Sequence, residues 1–293
     1  MHIRELPWIE PVTAIQSLAG RPYLTFLDSA AQIASLGRYS YVACDPFTTF
    51  VIAEGQAYCN GEALLNSDPW DALRDLLAAY PQEHQVSLPP FQGGVAGYFG
   101  YDLNRTLERL PPAAMSGQGF PQALLNFYDT VLAYDHHENR CWVISTGWPE
   151  QNSSLRDERA LYRANELVAL LASPRVLRSA SQGMPSAWQS NFSREHYVSA
   201  VQRVIELILA GDIFQANISQ RFSTKLPESF DPISFYGRLR SVNPAPFAAL
   251  LLYGKLTIAS SSPERFLKLD GRRVEARPIK GTIARSPDPE KDK

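Results

Sequence analysis

The sequence has 293 residues, of which 45% are hydrophobic and 20% are charged, and its formal net charge is −2. This length and composition predict a globular chain of one large domain or two smaller ones, and the near-neutral charge gives no electrostatic reason to expect binding to nucleic acid or to an anionic membrane. No apolar run is long enough to span a bilayer and residues 1–7 do not resemble the start of a signal peptide, so we expect no membrane association and a cytoplasmic location.

The first part of the chain is predicted to form mainly strands. Short runs rich in β-branched and aromatic residues, bounded by turn-forming residues, are typical of strands. Such runs occupy residues 23–27, 39–43, 48–53 and 56–59.

A helix is predicted between Asp68 and Pro81. Asp68 is a suitable N-cap, Pro69 fits the first helical position, and Pro81 ends the helix. The face that we expect to be buried carries Trp70, Leu73 and Leu77.

The stretch of residues 93–100 contains four glycines among large apolar side chains. Their spacing matches neither a dinucleotide-binding motif nor a P-loop, so we do not expect nucleotide binding there. Glycines within a strand indicate instead that another backbone packs close to it.

Residues 126–134 and 140–146 are predicted to form a hairpin. Its tip carries His136 and His137, a pair that could suggest a metal site. Because no third ligand is apparent, we expect an exposed turn.

Two longer helices are predicted in the middle of the chain. The first spans residues 155–172 and begins with a capping box of Ser154 and Asp157, and the second follows Ser193 as N-cap and ends at Gly211. The expected buried stripes are Leu161, Ala164, Val168 and Leu171 in the first helix, and Tyr197, Val201, Val204 and Ile208 in the second.

Residues 173–187 lack apolar periodicity and are predicted to be a linker. It would divide the chain into an N-terminal domain, residues 1–172, and the first part of a catalytic domain, residues 188–293. Strands and helices are mixed without a regular βαβ alternation, which indicates the α+β class. The strands predicted after the linker are residues 215–222, 247–253 and 256–260.

The last predicted element is a hairpin between Glu264 and Lys280. Its turn, Asp-Gly at 270–271, tolerates the positive φ values of a tight turn, and with these residues at its centre Glu264 would face Arg277. Pro278 cannot donate a ladder hydrogen bond, so we expect an irregularity there that turns Lys280 toward the side of Glu264.

Glu264 and Lys280 offer an acid and an amine nucleophile. A lysine attacks an electrophile near neutral pH only after it loses its proton, which requires desolvation or a cationic neighbour such as Arg277. A partly buried glutamate can donate a proton to a departing hydroxyl. The alternative from the residues alone is that Glu264 and Arg277 form a surface pair and that Lys280 is solvated.

Several motifs resemble those of the chorismate-utilising enzymes. Residues 262–266, Ser-Pro-Glu-Arg-Phe, are followed at the family's distance by residues 277–282, Arg-Pro-Ile-Lys-Gly-Thr. The resemblance extends, in the same order along the chain, to residues 91–102, 211–217 and 243–247.

This resemblance implies a reaction and roles for four residues. Aminodeoxychorismate synthases carry lysine at the position of Lys280, whereas anthranilate synthases have alanine there. By this resemblance, Lys280 would attack C2 of chorismate and Glu264 would protonate the departing C4 hydroxyl. Ammonia would then attack C4 to give 4-amino-4-deoxychorismate, the precursor of 4-aminobenzoate and folate. Gly281 and Thr282 would contact the substrate.

The ammonia is expected to come from a partner. Cys44, Cys59 and Cys141 are odd in number and lack metal-ligand spacing, so they indicate neither a disulfide framework nor a zinc site. None lies in a nucleophile turn like that of a glutaminase. We therefore expect a separate glutamine amidotransferase subunit.

The resemblance also implies a fold and a second pocket. The fold would be a large, mostly antiparallel β-sandwich with helices on its outer faces and chorismate in a cleft between the sheets. The second pocket would take tryptophan, and the alternative is that its aromatic residues are simply part of the core. The matching positions are Ser29, Arg38, Tyr39, Pro246, Phe247 and Ala248.

Members of the family continue well beyond position 293. Their C-terminal half supplies acidic ligands for Mg²⁺ and side chains that hold the chorismate carboxylates, so we expect a C-terminally truncated chain whose metal ligands lie outside these residues. Three hypotheses stay open: an aminodeoxychorismate synthase subunit, anthranilate synthase component I, and an inactive fragment that acts only as a binding module.

Overall fold

The computed structural model describes residues 1–31, 36–111, 119–173, 187–281, 286–288 and 290. The chain divides into two compact units. The first combines Met1–Leu177 with Pro232–Lys293, and the second is Arg178–Asp231. The predicted domain boundary at residues 173–187 stays a prediction, and most of that segment lies outside the described residues.

The described helices and strands have the following bounds. The helices are α1 (Pro11–Ser17), α2 (Pro69–Ala78), α3 (Ser153–Leu171), α4 (Arg194–Ala210) and α5 (Pro232–Val242), with a 3₁₀ helix at Tyr101–Thr106. The strands are β1 (His2–Leu6), β2 (Leu24–Asp28), β3 (Tyr39–Ala43), β4 (Thr48–Ala53), β5 (Gln56–Cys59), β6 (Glu62–Ala63), β7 (Gly94–Phe99), β8 (Ala123–Tyr128), β9 (Thr130–Asp135), β10 (Arg140–Ser145), β11 (Gln189–Ser190), β12 (Phe222–Ser223), β13 (Phe247–Tyr253), β14 (Leu256–Ser262), β15 (Lys268–Asp270) and β16 (Arg273–Glu275).

The first unit contains two large antiparallel sheets and the two-stranded sheet β15-β16. The seven-stranded sheet has the order β1-β10-β9-β3-β2-β13-β14, and the five-stranded sheet has the order β6-β5-β4-β8-β7. Apolar side chains of the two sheets meet in an inner layer, where Tyr128 of β8 packs with Trp142 of β10 and Leu124 of β8 packs with Tyr253 of β13. The sheets therefore form a sandwich.

The helices of the first unit cover the outer faces of this sandwich. Side chains of α1, α3 and α5 join the core on one face of the seven-stranded sheet, and α2 packs on the five-stranded sheet through Leu73. This arrangement of antiparallel sheets with outer helices confirms the predicted α+β fold class.

Local patterns predicted several elements correctly. The strands β3, β4, β5 and β13 have the predicted bounds. Helix α2 begins as expected, because the Asp68 carboxylate accepts hydrogen bonds from the backbone N–H groups of Trp70 at 2.9 Å and Asp71 at 3.2 Å. The prediction for Leu77 was wrong, since this side chain is exposed and Leu76 packs against the core instead.

The glycine-rich stretch lies in β7, beside β8. A Cβ atom at Gly97 would lie 2.0 Å from the carbonyl oxygen of Leu124. No side chain fits at that distance, which confirms that a neighbouring backbone packs close to this strand.

The predicted strand 126–134 is two strands in two different sheets. The chain leaves the five-stranded sheet after Tyr128 and enters the seven-stranded sheet at Thr130. Asp129 lies at this corner with a fully buried side chain, 3.3 Å from Nε of Arg163 and 3.4 Å from Nη2 of Arg159. Burial raises the pKa of Asp129, and the two guanidinium groups oppose that rise.

The N-terminus of α3 differs from the predicted capping box. The Asn152 side-chain oxygen accepts hydrogen bonds from the N–H groups of Ser154 at 3.0 Å and Leu155 at 3.2 Å, so the N-cap is Asn152. The buried stripe includes Ala164 and Leu171 as predicted, but Leu161 is exposed.

Helix α4 dominates the second unit. Ser193 caps it by accepting the His196 N–H at 3.2 Å, and Gly211 ends it with a φ of +83°, both as predicted. Among the described residues, no side chain of α4 is fully buried. In its expected stripe Tyr197, Val201 and Val204 are half-buried and Ile208 is exposed. The predicted strand 215–222 is observed only as the two-residue strand β12 (Phe222–Ser223), which pairs with β11.

The helices α1 and α5 were not predicted. The described helices include none with the length and hydrophobicity of a membrane span.

Candidate functional site

The hairpin formed by β15 and β16 lies between Glu264 and Lys280. Its register pairs Asp270 with Arg273 and Lys268 with Glu275, so the central turn residues are 271–272. The predicted turn centre at 270–271, and with it the pairing of Glu264 with Arg277, was wrong. Gly271 has a φ of +57° and occupies the first central position of the turn, where a positive φ is required. The prediction had placed it at the second central position.

The two sides of the hairpin meet at the carboxylate of Glu275. Arg265 forms an ion pair with Glu275 through Nη1, and Nε of Arg277 lies 2.9 Å from Oε1 of the same carboxylate. Desolvation acts to raise the pKa of Glu275, but hydrogen bonds and charge from Arg277 and Arg265 lower it overall. Arg277 therefore pairs with Glu275. The alternative interpretation, in which Arg277 forms a surface pair with Glu264, was wrong on this point.

Glu264 and Lys280 are both exposed. Glu264 lies in a turn in which its backbone oxygen accepts a hydrogen bond from the Ser262 hydroxyl at 3.1 Å. Strand β16 ends at Glu275, so the chain has left the ladder before Pro278. The residues Glu264, Arg265, Phe266, Ala276, Arg277 and Pro278 line one open groove.

Gly281 is exposed and follows Lys280 directly. Thr282, the fourth residue of the proposed substrate site, lies outside the described residues.

The hairpin is joined to the seven-stranded sheet through Phe247. Phe247 pairs with Ser262 at the end of β14, and the guanidinium of Arg265 lies 5.1 Å from the centre of the Phe247 ring. This contact is a cation–π interaction that ties the segment after Glu264 to β13.

A second cluster lies where β2, β3 and β13 run side by side. Ala248 pairs with Asp28 across β13 and β2. The Ser29 hydroxyl donates to the backbone oxygen of Tyr39 at 2.6 Å, and its N–H donates to the Ser40 hydroxyl at 2.9 Å. The positions expected to hold tryptophan on these strands are therefore brought together by the sheet.

Arg38 is held at the edge of this cluster. Its guanidinium donates to both carboxylate oxygens of Asp135, the shortest contact being 2.6 Å, and lies 4.9 Å from the centre of the Tyr39 ring. Burial raises the pKa of Tyr39. Pro246 and Ala248 are buried, and Tyr39 and Phe247 are half-buried.

The same cluster contains a buried acid, Asp28, which lies beside Ser29 in the second-pocket motif but was not assigned a role. The Asp28 carboxylate accepts hydrogen bonds from Nε of Arg240 at 2.8 Å and from the Tyr236 hydroxyl at 3.0 Å. Arg240 and Tyr236 lie on α5, which was not predicted, so no spacing signal linked them to Asp28.

His136 also contributes to this cluster. Its Nε2 lies 2.7 Å from the Ser40 hydroxyl, and its ring packs edge-on against Trp8. Burial lowers the pKa of His136. The prediction of an exposed turn was wrong for His136 and correct for His137, which is exposed.

A cation site would need several acidic or imidazole ligands close together. Among the described residues, no three His, Cys, Asp or Glu side chains are grouped in this way. These residues do not fit Mg²⁺ by themselves, and we assign no reaction step to the metal.

Comparison with protein-family models matches residues 25–293 to the chorismate binding enzymes. Over 290 residues the chain is 37% identical to anthranilate synthase component 1 of Thermus thermophilus, covering 97% of this chain and 59% of that protein. Over 276 residues it is 34% identical to aminodeoxychorismate synthase component 1 of Salmonella typhimurium, covering 93% of this chain and 57% of that protein. The chain thus spans a little under three fifths of the length of these relatives.

Solved structures show the same fold. Anthranilate synthase component I from Streptococcus pneumoniae aligns with a TM-score of 0.68 at 24% identity, over 82% of this chain and 53% of that chain. The menaquinone-specific isochorismate synthase from Escherichia coli aligns with a TM-score of 0.53 at 13% identity, over 99% of this chain and 57% of that chain.

Proposed function

This chain belongs to the family of chorismate binding enzymes, and from that premise we propose that it is the component I subunit of an aminodeoxychorismate synthase. It would convert chorismate and ammonia to 4-amino-4-deoxychorismate and water. The observation that carries the proposal is the lysine at position 280. It is supported by an open groove lined by Glu264 on one side of the hairpin and by Arg277 and Pro278, shortly before Lys280, on the other.

In the proposed reaction, Nζ of Lys280 forms a bond to C2 of chorismate as the C4 hydroxyl departs. Glu264 donates a proton to that hydroxyl, which leaves as water. Ammonia then bonds to C4 and the lysine amine leaves C2, while a proton from the new ammonium group returns to Glu264, so that both Lys280 and Glu264 are restored. Lys280 would act as a covalent nucleophile and Glu264 as a general acid.

The proposal includes partners and a second ligand. Both relatives described above are named component 1, which supports a second component, and we propose that a glutamine amidotransferase supplies the ammonia. We also propose that the cluster around Ser29, Tyr39 and Ala248 binds tryptophan, because the sheet brings these three positions together. Titration of the chain with tryptophan in a calorimeter tests this second site directly.

The competing function is that of anthranilate synthase component I. It is favoured by one observation, the 37% identity to the Thermus thermophilus anthranilate synthase component 1. Product identity separates the two functions, since anthranilate is fluorescent and forms with release of pyruvate, whereas 4-amino-4-deoxychorismate requires a lyase to become 4-aminobenzoate.

The experiment incubates the protein, as its source cell produces it, with chorismate, an ammonium salt and Mg²⁺, and follows both products and the intact mass of the protein. We expect 4-amino-4-deoxychorismate, and a covalent adduct that maps to Lys280. Lys280→Ala should abolish the adduct, and Lys268→Ala is the matched control because it removes another exposed lysine of the same hairpin. Anthranilate as the product, or an unchanged product yield from Lys280→Ala, would overturn the proposal. Absence of any turnover by the unaltered chain would favour a binding module instead.

A further inference from the structure

The carboxylate of Glu275 contacts side chains from both sides of the hairpin. Its Oε1 is within ion-pair distance of Arg265 and lies 2.9 Å from Nε of Arg277. Arg265 directly follows Glu264, and Arg277 stands three residues before Lys280. One side chain therefore connects the two segments that carry the proposed acid and nucleophile.

The ladder of the hairpin is too short to fix these segments. It consists of three residue pairs, from Lys268 with Glu275 to Asp270 with Arg273. A short two-stranded hairpin is at best marginally stable by itself, so the chain on either side of the ladder requires other contacts.

A carboxylate at position 275 has an electrostatic role between two arginines. Arg265 and Arg277 are like charges that converge on the same point, and they would repel each other without an anion between them. The Arg265 side chain is 24% exposed and that of Glu275 is 33% exposed, so this pair is shielded more than a typical surface ion pair. Arg265 is further held over the Phe247 ring.

We propose that Glu275 is a positioning residue, which holds Arg265 and Arg277 and thereby the segments that carry Glu264 and Lys280 on the two sides of the hairpin. The catalytic part of this inference rests on the proposed function of Glu264 and Lys280. The geometric part does not, because it concerns only contacts within the hairpin.

The test compares Glu275→Gln, Glu275→Asp and Asp270→Asn. Glu275→Gln removes the charge with little change in size, and Glu275→Asp keeps the charge on a shorter side chain. Asp270→Asn is the matched control, since it makes the same charge change in the same hairpin, at the turn. Two readouts are taken: amide hydrogen exchange of peptides that cover residues 264–281, and the rate of covalent adduct formation with chorismate.

In Glu275→Gln we expect hydrogen exchange on both sides of the hairpin to become roughly tenfold faster, in proportion to the loss of charge-assisted hydrogen bonds. Glu275→Asp should recover part of the protection, and Asp270→Asn should exchange as the unaltered chain does. Adduct formation should be slowest in Glu275→Gln, intermediate in Glu275→Asp and unchanged in Asp270→Asn. Unchanged exchange in Glu275→Gln would overturn the inference.

The two readouts separate this inference from the proposed function. Faster exchange together with no adduct in the unaltered chain would support the geometric role of Glu275 and contradict the proposed reaction. Normal exchange together with normal adduct formation in Glu275→Gln would support the reaction and contradict the positioning role.

Discussion

Asp28, the last residue of β2, accepts a hydrogen bond at 2.8 Å from Nε of Arg240 on α5, a residue 212 positions away in the sequence. The Asp28 side chain is fully buried and that of Arg240 is 25% exposed. This ion pair fastens α5 to the seven-stranded sheet at the point where β13 pairs with β2. The position of β13, and of the hairpin that follows β14, therefore depends on contacts with the N-terminal part of the chain.

Replacing Arg240 by alanine should lower the free energy of unfolding by about 3 kcal/mol, because it leaves the buried Asp28 carboxylate without its cationic partner. Urea denaturation measures this change. The matched control is Arg74→Ala, which removes an exposed ion pair with Asp71 on α2 and should change stability by less than about 0.5 kcal/mol. Equal effects of the two substitutions would show that the Asp28 pair adds nothing beyond a surface contact.

Gly97→Ala should destabilise the protein by at least about 2 kcal/mol, because the new Cβ would overlap the carbonyl oxygen of Leu124 in the adjacent strand. The comparison variant is Gly237→Ala in α5, where no described atom outside the helix lies within 4 Å of the Cβ position. This second change should stabilise the protein by up to about 1 kcal/mol through helix propensity. Thermal unfolding measures both changes, and equal stability of the two variants would contradict the close packing of β7 on β8.

The free energy of unfolding should fall between pH 7 and pH 5.5 because of His136. Burial lowers the pKa of this imidazole in the folded protein, so the unfolded chain takes up the proton at a higher pH and is favoured as the pH drops below about 6.5. The charged groups that act on the ring are Asp28, Arg240, Asp135 and Glu10.

Urea denaturation of the unaltered protein and of the His136→Gln variant, each at pH 7 and pH 5.5, tests the role of His136. This variant retains a polar side chain near Ser40 but cannot take up a proton in this range. It should show a smaller loss of stability on acidification than the unaltered protein. The same loss in both proteins would assign the pH dependence to other groups.

Glu264→Gln should lower the rate of adduct formation with chorismate by roughly 10²-fold to 10⁴-fold, since the amide cannot protonate the departing hydroxyl. Chorismate binding should change little if Glu264 acts only as an acid, so the effect should appear in the maximal rate rather than in KM. Glu62→Gln, at an exposed glutamate of β6, is the control. A loss confined to KM would indicate a binding role for Glu264.

Local patterns account for much of the secondary structure. Strands such as β3 and β13 were predicted with their correct bounds because their β-rich composition and flanking turns are contained within a few residues. Asp68, Ser193 and Gly211 were assigned correctly as caps, since capping depends on hydrogen bonds and backbone conformation within one helical turn.

The errors arise where local signals are ambiguous. Residues 123–135 are mostly apolar and are buried on both sides of Asp129, so no apolar–polar alternation marked the corner at which the chain changes sheets. Asp-Gly favoured a turn centred on 270–271, but Gly-Arg at 271–272 satisfies the same requirement for a positive φ with a different register. The proposed site residues themselves stay predictions.

The sequence by itself determined the caps of α2 and α4, most strands of the sandwich, the α+β class, and the motifs at Glu264 and Lys280 that resemble the chorismate-utilising enzymes. Only the tertiary structure decided that β13 lies beside β2, that Arg240 neutralises Asp28, and that Glu275 joins Arg265 to Arg277. The physical reason is range: propensity, periodicity and capping act between residues a few positions apart, whereas strand order and buried ion pairs depend on the path of the whole chain.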